Sequence, residues 1–273
     1  MKRTGSPQAQ RAGSRRGRFP GFPREGIAFL RALKRNNDRE WFTPRKAEFE
    51  ATVRQPAIDL VAAIHREMMR FAPQYVGEPA KCVYRIYRDT RFSKDKTPYK
   101  TFTSALLMRS GFDKYTGSAC FYFAISPENI EVAGGIYTPD RDVLLAVRQH
   151  IAENHKQFRA TYSSPKVKRL LGELQGESVS RMPKGFAPEH PAADLLRRKY
   201  YLLDTRLDPK IATTPKLFSE LVARLEAMTP FVDFLNIPLL ARQKKQKQDE
   251  RFCASADVSA PWQPRPSAPA RSS

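Results

Sequence analysis

Between Arg85 and Lys100 the chain reads RIYRDTRFSKDKTPYK, which sets six cations (Arg85, Arg88, Arg91, Lys94, Lys96 and Lys100) against Asp89 and Asp95. The stretch carries a net +4 and interleaves Tyr87, Phe92 and Tyr99. A guanidinium grips phosphate or carboxylate through two parallel hydrogen bonds, and an ammonium adds a mobile point charge. Tyr87 and Phe92 are of the type that stacks on a base. Asp89 and Asp95 have two uses open to them: orienting the arginines through ion pairs, or moving a proton. The chemistry this pattern suits is binding of an anionic, phosphate-bearing ligand, with nucleic acid as a partner that also accounts for the aromatics.

Other residue types offer less. His190, in Pro188-Glu189-His190-Pro191, is a candidate acid or base beside Asp89 and Asp95, although capping the helix that follows is its simpler use. His150 and His155 are five apart, about 140° around a helix, and do not face one metal. His65 lies among polar neighbours and reads as a surface residue. Cys82, Cys120 and Cys253 match no zinc spacing, so no metal and no cofactor is expected, and Cys82 and Cys120 read as core thiols. Gly134-Gly135 invites a phosphate-loop reading but is neither GxGxxG nor GxxxxGK[ST]. Asp140 and Asp142, in the first turn of the next helix, would repel an anion there, so a bulge or close backbone approach suits the glycines better.

The elements that must position these side chains follow from periodicity. Residues 82–92 (CVYRIYRDTRF) alternate and predict a strand, with Tyr84, Ile86 and Arg88 on one side and Arg85, Tyr87 and Arg91 on the other. Arg88 must then sit at an edge, in a pair or in a buried network. Further strands are expected near 102–109, 118–126 and 129–137, and 200–207 could be a last one. Ahead of them a helix over 24–34 breaks at Asn36-Asn37. Thr43-Pro44 opens an amphipathic helix over 44–70, kinked near Pro56. Helical period returns after Thr138-Pro139, with short helices over 165–174 and 191–199. Thr214-Pro215 opens a helix with an apolar stripe of Leu217, Leu221, Leu225 and Met228. This order predicts an α+β fold: a central, mainly antiparallel sheet flanked by N-terminal and C-terminal helices.

Charge divides the chain of 273 residues into three parts. Of the formal +20, residues 1–18 hold +6 with no acid and residues 242–273 hold +4, which leaves +10 for 19–241. The expected organisation is a disordered basic tail over 1–18, one α+β domain over 19–241, and a basic then Pro/Ser/Ala-rich disordered tail over 242–273. No run approaches the roughly 18 apolar residues of a membrane span, and the N-terminal tail has no apolar signal region. The expectation is a cytoplasmic protein with no membrane partner and with oligomeric state open.

The basic stretch, read with Asn36-Asn37-Asp38-Arg39-Glu40-Trp41-Phe42, resembles the conserved hypothetical family called domain of unknown function 2461. Gly134-Gly135 leading to Pro139, Leu144 and Arg148 match its pattern too, as do Pro183-Lys184-Gly185-Phe186, His190-Pro191 and 194–199 (DLLRRK). The resemblance covers roughly residues 20–240 and implies no particular activity. It does imply that the Arg/Lys stretch is a family signature, which packing alone explains poorly. For residues 36–42 the expected use is a helix junction, with Trp41 and Phe42 anchored in the core. Three readings follow: an anion-binding surface; an enzyme acting on a phosphorylated or carboxylated small molecule, with Asp89, Asp95 or His190 moving a proton; and a structural ion-pair network, with Arg88 and Asp89 buried against each other.

Overall fold

The computed structural model describes residues 19–112 and 117–256; the predicted tail over 1–18 and residues 257–273 lie outside the described residues. Extended Pro23 leads into α1 (Arg24–Arg35), which buries Phe29, Leu30 and Leu33. Asn36 stops it, its side-chain amide donating to the Ala32 carbonyl at 2.9 Å. The next cap is Asp38 rather than Thr43: its carboxylate accepts from the Trp41 N–H at 2.7 Å. From there the chain stays helical through α2 (Arg39–Phe42), a 3-10 turn at Thr43–Arg45, α3 (Lys46–Phe49), a π turn at Glu50–Arg54 and α4 (Gln55–Phe71). Pro56 is the second residue of α4 and follows directly on the π turn; lacking an N–H it cannot donate within this continuous helical run, and the irregularity sits in the π turn before it. His65, expected at the surface, is 4% exposed. It lies one turn from Val61 and Met68, on the buried stripe of α4, and burial lowers its pKa.

After the single turn α5 (Pro79–Cys82), the strand expected over 82–92 does not form. Only isolated bridges pair this segment, Val83 with Ala105 and Tyr87 with Tyr99. The chain bends at Ile86, so Val83 and Ile86 are both buried at an odd spacing that an alternating strand forbids. Across from it, Pro98 has no N–H for a ladder.

The sheet consists of β1 (Thr103–Met108), β2 (Cys120–Ile125), β3 (Ile130–Ile136) and β4 (Tyr201–Leu207), in the order β1-β2-β3-β4 and antiparallel throughout. This is the predicted α+β architecture, with strands in all four segments expected near 102–109, 118–126, 129–137 and 200–207. Between β3 and β4 run α6 (Arg141–Glu153), α7 (His155–Ser163), α8 (Pro165–Leu171) and the single turn α9 (Ala193–Leu196), the last much shorter than the helix expected over 191–199. Asp140 caps α6, accepting from the Val143 N–H at 2.8 Å. The closing helix α10 (Lys216–Ala256) continues well past 241, so the basic run Arg242, Lys244, Lys245 and Lys247 is helical rather than part of an extended tail. No helix among the described residues is long and apolar enough to cross a membrane.

One face of the sheet, with Leu107, Phe121, Phe123, Val132 and Leu203, is buried under helices. α10 packs closely there because β3 offers Gly134: a Cβ at that position would lie 2.2 Å from the Met228 sulfur. Gly135, at φ +134°, would set a Cβ 2.2 Å from the Tyr201 carbonyl oxygen. Close approach, not phosphate binding, accounts for the pair. Asn236 of α10, fully buried, accepts from the Ala119 N–H at 3.0 Å and donates to the Ala119 carbonyl and the Tyr75 hydroxyl, each at 2.9 Å. The Tyr75 hydroxyl donates in turn to Asp233 at 2.8 Å, which Gln74 and Arg109 also reach. Asn236→Leu keeps the volume but leaves both backbone groups of Ala119 buried without partners; urea unfolding should show a loss of about 2–4 kcal/mol, against about 1 kcal/mol for Tyr75→Phe.

Candidate functional site

The basic segment is a hairpin-like loop on a firm stem. The stem's backbone bonds run from Tyr84 N–H to the Ser104 carbonyl (2.9 Å), from Lys100 N–H to Ile86 (2.8 Å) and from Arg88 N–H to Pro98 (2.9 Å). Val83, Ile86 and Tyr99 are buried. Phe42 stacks on Tyr99 with ring centroids 4.2 Å apart and meets Tyr87 edge-on at 6.5 Å. Asn37 then acts as a strand partner would: its Nδ2 donates to the Tyr99 carbonyl at 2.9 Å and its Oδ1 accepts from the Tyr99 N–H at 3.0 Å. Residues 36–42 are thus the anchor of the basic loop. Their part in the site was missed in the sequence, where they read only as a helix junction. Asn37 carries the signal, since a side-chain amide can imitate both groups of a peptide bond.

Beyond the stem, two aspartates organise the charges. Asp89 accepts from the Arg91 N–H two residues on and holds the Arg91 guanidinium through two bonds, at 3.0 and 2.8 Å. Asp95 repeats the device: it accepts from the Thr97 N–H at 2.9 Å and from Arg88 Nη1 at 2.5 Å, while Arg88 also donates to the Thr97 hydroxyl. Each carboxylate therefore folds a turn and fixes an arginine. Bonds from the Arg91 side chain and backbone hold the Asp89 carboxyl at about 2; bonds from the Thr97 backbone and Arg88 side chain do the same for Asp95. Of the edge, the pair and the buried network open to Arg88, the structure shows a pair, and its partner is Asp95, not a buried Asp89. Lys96 donates to the Thr90 carbonyl at 2.9 Å, and the Lys100 ammonium lies 4.7 Å from the Tyr84 ring centroid.

Arg85, Arg91, Lys94 and Lys96 are exposed, whereas Arg88 and Lys100 are half-buried. Phe92 stands 94% exposed at the tip, beside the Arg91 guanidinium at 5.7 Å. Tyr87, the other predicted stacker, is occupied by Phe42 and Tyr99 on its inner side. A cleft of about 620 Å³ opens at the foot of the loop, lined by Lys34, Asn37, Arg88, Asp95 and Lys100 among others. Lys34, unmarked in the sequence, reaches it from α1, although its ammonium also pairs with Glu128 at 2.7 Å.

His190 is not among the residues lining this cleft. Its Nδ1 accepts from the Ala192 N–H at 3.0 Å, so it caps the turn that follows. The neighbouring family-like residues build the layer between β3 and β4: Arg159 holds Asp194 at 2.6 Å, Arg148 donates to the Arg198 carbonyl at 2.8 Å, and Lys199 pairs with Glu177 at 2.9 Å. Carboxyls held near 2 are weak bases at neutral pH.

A family model described as conserved hypothetical protein (DUF2461) matches residues 25–234. No curated protein and no solved structure matches the chain.

Because Asp89 and Asp95 sit below their ordinary 3.8 when folded, their contribution to the loop is fully present above pH 4 and is lost as pH falls through about 2. Carboxyl carbon shifts followed by NMR should place both midpoints near 2, with the Thr97 amide losing its partner over the same range. Midpoints at 3.8 would contradict the pairing.

Proposed function

Within the DUF2461 family of conserved hypothetical proteins, to which this chain belongs, we propose that it binds a phosphate-bearing polyanion, nucleic acid, on the basic loop over 85–100. The observation that carries this reading is Phe92: a phenylalanine 94% exposed, at the tip of a loop whose other exposed side chains are mostly cations. An exposed ring there contributes nothing to packing, and it is placed to stack on a base while Arg85, Arg91, Lys94 and Lys96 meet the phosphates. The intramolecular pairs support the reading as well. An arginine already fixed by Asp89 or Asp95 retains free N–H groups and loses less side-chain entropy when a phosphate arrives. On this reading residues 19–241 act as one unit, α10 adds charge beyond it, and the protein works in the cytoplasm, where single-stranded RNA is abundant. No catalytic step is assigned.

One observation favours a second reading: Arg88 and Arg91 are each matched to a carboxylate, as a purely structural network would have them. The two are separated by titrating the full-length protein and its variants with labelled single-stranded RNA, single-stranded DNA and duplex DNA over a salt series. Because every variant keeps the basic termini, differences report the loop alone. Phe92→Ala should weaken single-strand binding about five- to 150-fold, the 1–3 kcal/mol of one stacked base, without moving the melting temperature. Lys94→Ala should lower the salt slope on a single strand by about 0.7. Wild-type affinity and slope in both variants, with Asp95→Asn lowering the melting temperature, would leave the loop as a structural network.

A further inference from the structure

The face of the sheet turned away from α10 carries a cavity of about 470 Å³, within the roughly 300–1,000 Å³ range of small-molecule sites. Strand register explains its shape. Leu106, Tyr122 and Ala133 lie opposite one another in one row, and Met108, Cys120, Gly135 and Leu202 form the next. The walls are therefore large and the floor, Ala133 and Gly135 on β3, is nearly bare. Tyr84 closes the edge from the stem of the basic loop.

The lining is mainly aromatic and aliphatic, with the hydroxyls of Ser118 and Thr138, and among the described residues Glu131 is its one charged side chain. Among the described residues Glu131 makes no ion pair; Arg206, its register partner on β4, does not come within pairing distance. Burial raises the pKa of Tyr122, and the nearby charge of Glu131 adds to that rise. The Lys100 ammonium rests against the Tyr84 ring and does not line the cavity. Burial pushes the Cys120 thiol up to about 12, so it offers no thiolate and the cavity is built to bind rather than to react.

Such a site disfavours anions and acceptor-rich edges and favours a flat, apolar body with hydrogen-bond donors along one edge. A carboxylate only accepts, and it accepts through two oxygens. We propose that this cavity binds a planar nitrogen heterocycle whose N–H edge meets Glu131. Guanine is the nucleobase that fits, since its N1–H and N2–H donors are adjacent. Adenine and cytosine set one amino group beside a ring acceptor, and uracil flanks its single N–H with two carbonyls. The site is separate from the basic loop and does not depend on what that loop binds. A free nucleoside and a base within a strand present this same edge, and the test below separates the two sources.

Calorimetric titration of the full-length protein with guanosine, adenosine, cytidine and uridine, and with single-stranded oligonucleotides with and without guanine, tests this. Guanosine, or the guanine-containing strand, should bind about tenfold or more tightly than its counterparts, and Glu131→Gln should remove that margin by turning one acceptor into a donor. Ala133→Leu fills the floor and should abolish binding. Both variants should keep the wild-type circular dichroism melt, and if Ala133→Leu does not, Glu131→Gln decides alone, since Glu131 makes no ion pair among the described residues. Phe92→Ala should leave nucleoside binding unchanged, so failure of the loop reading stays separable from failure here. Selectivity seen only in the strand identifies a polymer as the source of the base; selectivity with free guanosine identifies a nucleoside. Equal binding of uridine and guanosine, or selectivity that survives Glu131→Gln, would overturn the assignment.

Discussion

Asn236 ties the helical layer to the sheet with a single side chain that no solvent reaches. Its amide engages both backbone groups of Ala119, just before β2 begins, and so fixes where β2 starts relative to α10. β2 sets β1 through six consecutive register pairs, and Ser104 of β1 accepts from Tyr84, where the stem of the basic loop begins. The loop is thus held at the end of a chain of directional bonds that starts in the core. A buried amide is costly unless fully paired, and this one makes three bonds, so it selects one arrangement of helix, strand and turn over others of similar packing. Apolar contact alone would let α10 slide along β3, where Gly134 and Met228 meet.

The two sides of the stem differ in sign. Toward the tip the side chains are cationic, and their carboxylates are already engaged. Toward the sheet the open face presents Glu131, which makes no ion pair among the described residues, not even with Arg206 opposite it on β4. Tyr84 and Lys100 stand at the border, one lining the open-face cavity and the other the basic cleft, in contact through the ring. A polyanion following the loop therefore meets a barrier to its phosphates at the sheet, though not to an uncharged base.

Most of the fold was legible in the residues because it rests on periodicity. The four strands are short apolar runs bounded by turn residues, and the apolar stripe of α10 repeats every three or four residues. The strand expected over 82–92 failed although its alternation was real: the bend at Ile86 and the turns folded by Asp89 and Asp95 are tertiary choices that override a period-two pattern. His65 misled for a related reason, since its immediate neighbours are polar while its neighbours one turn away are buried. At the site, the charged residues were visible as a list, but which carboxylate holds which arginine is decided by turns of two residues. Asn37 was visible only as a turn former, because its bonds reach 62 positions along the chain. The open-face cavity left no local mark. It exists because small residues on β3 lie beside large ones on β1, β2 and β4, and those rows appear only once the register is known.

The meander β1-β2-β3 is contiguous in the chain, whereas β4 pairs with β3 only after α6, α7, α8 and α9 have been made. At roughly 5–20 residues per second a ribosome takes several seconds to cover that gap. Throughout it, the outer edge of β3 offers unpaired backbone groups to any passing strand. Gly134-Gly135 interrupts that edge with the poorest strand-forming residues apart from proline. The glycines that let α10 and β4 close on the finished sheet also make the unfinished one a weak template for aggregation.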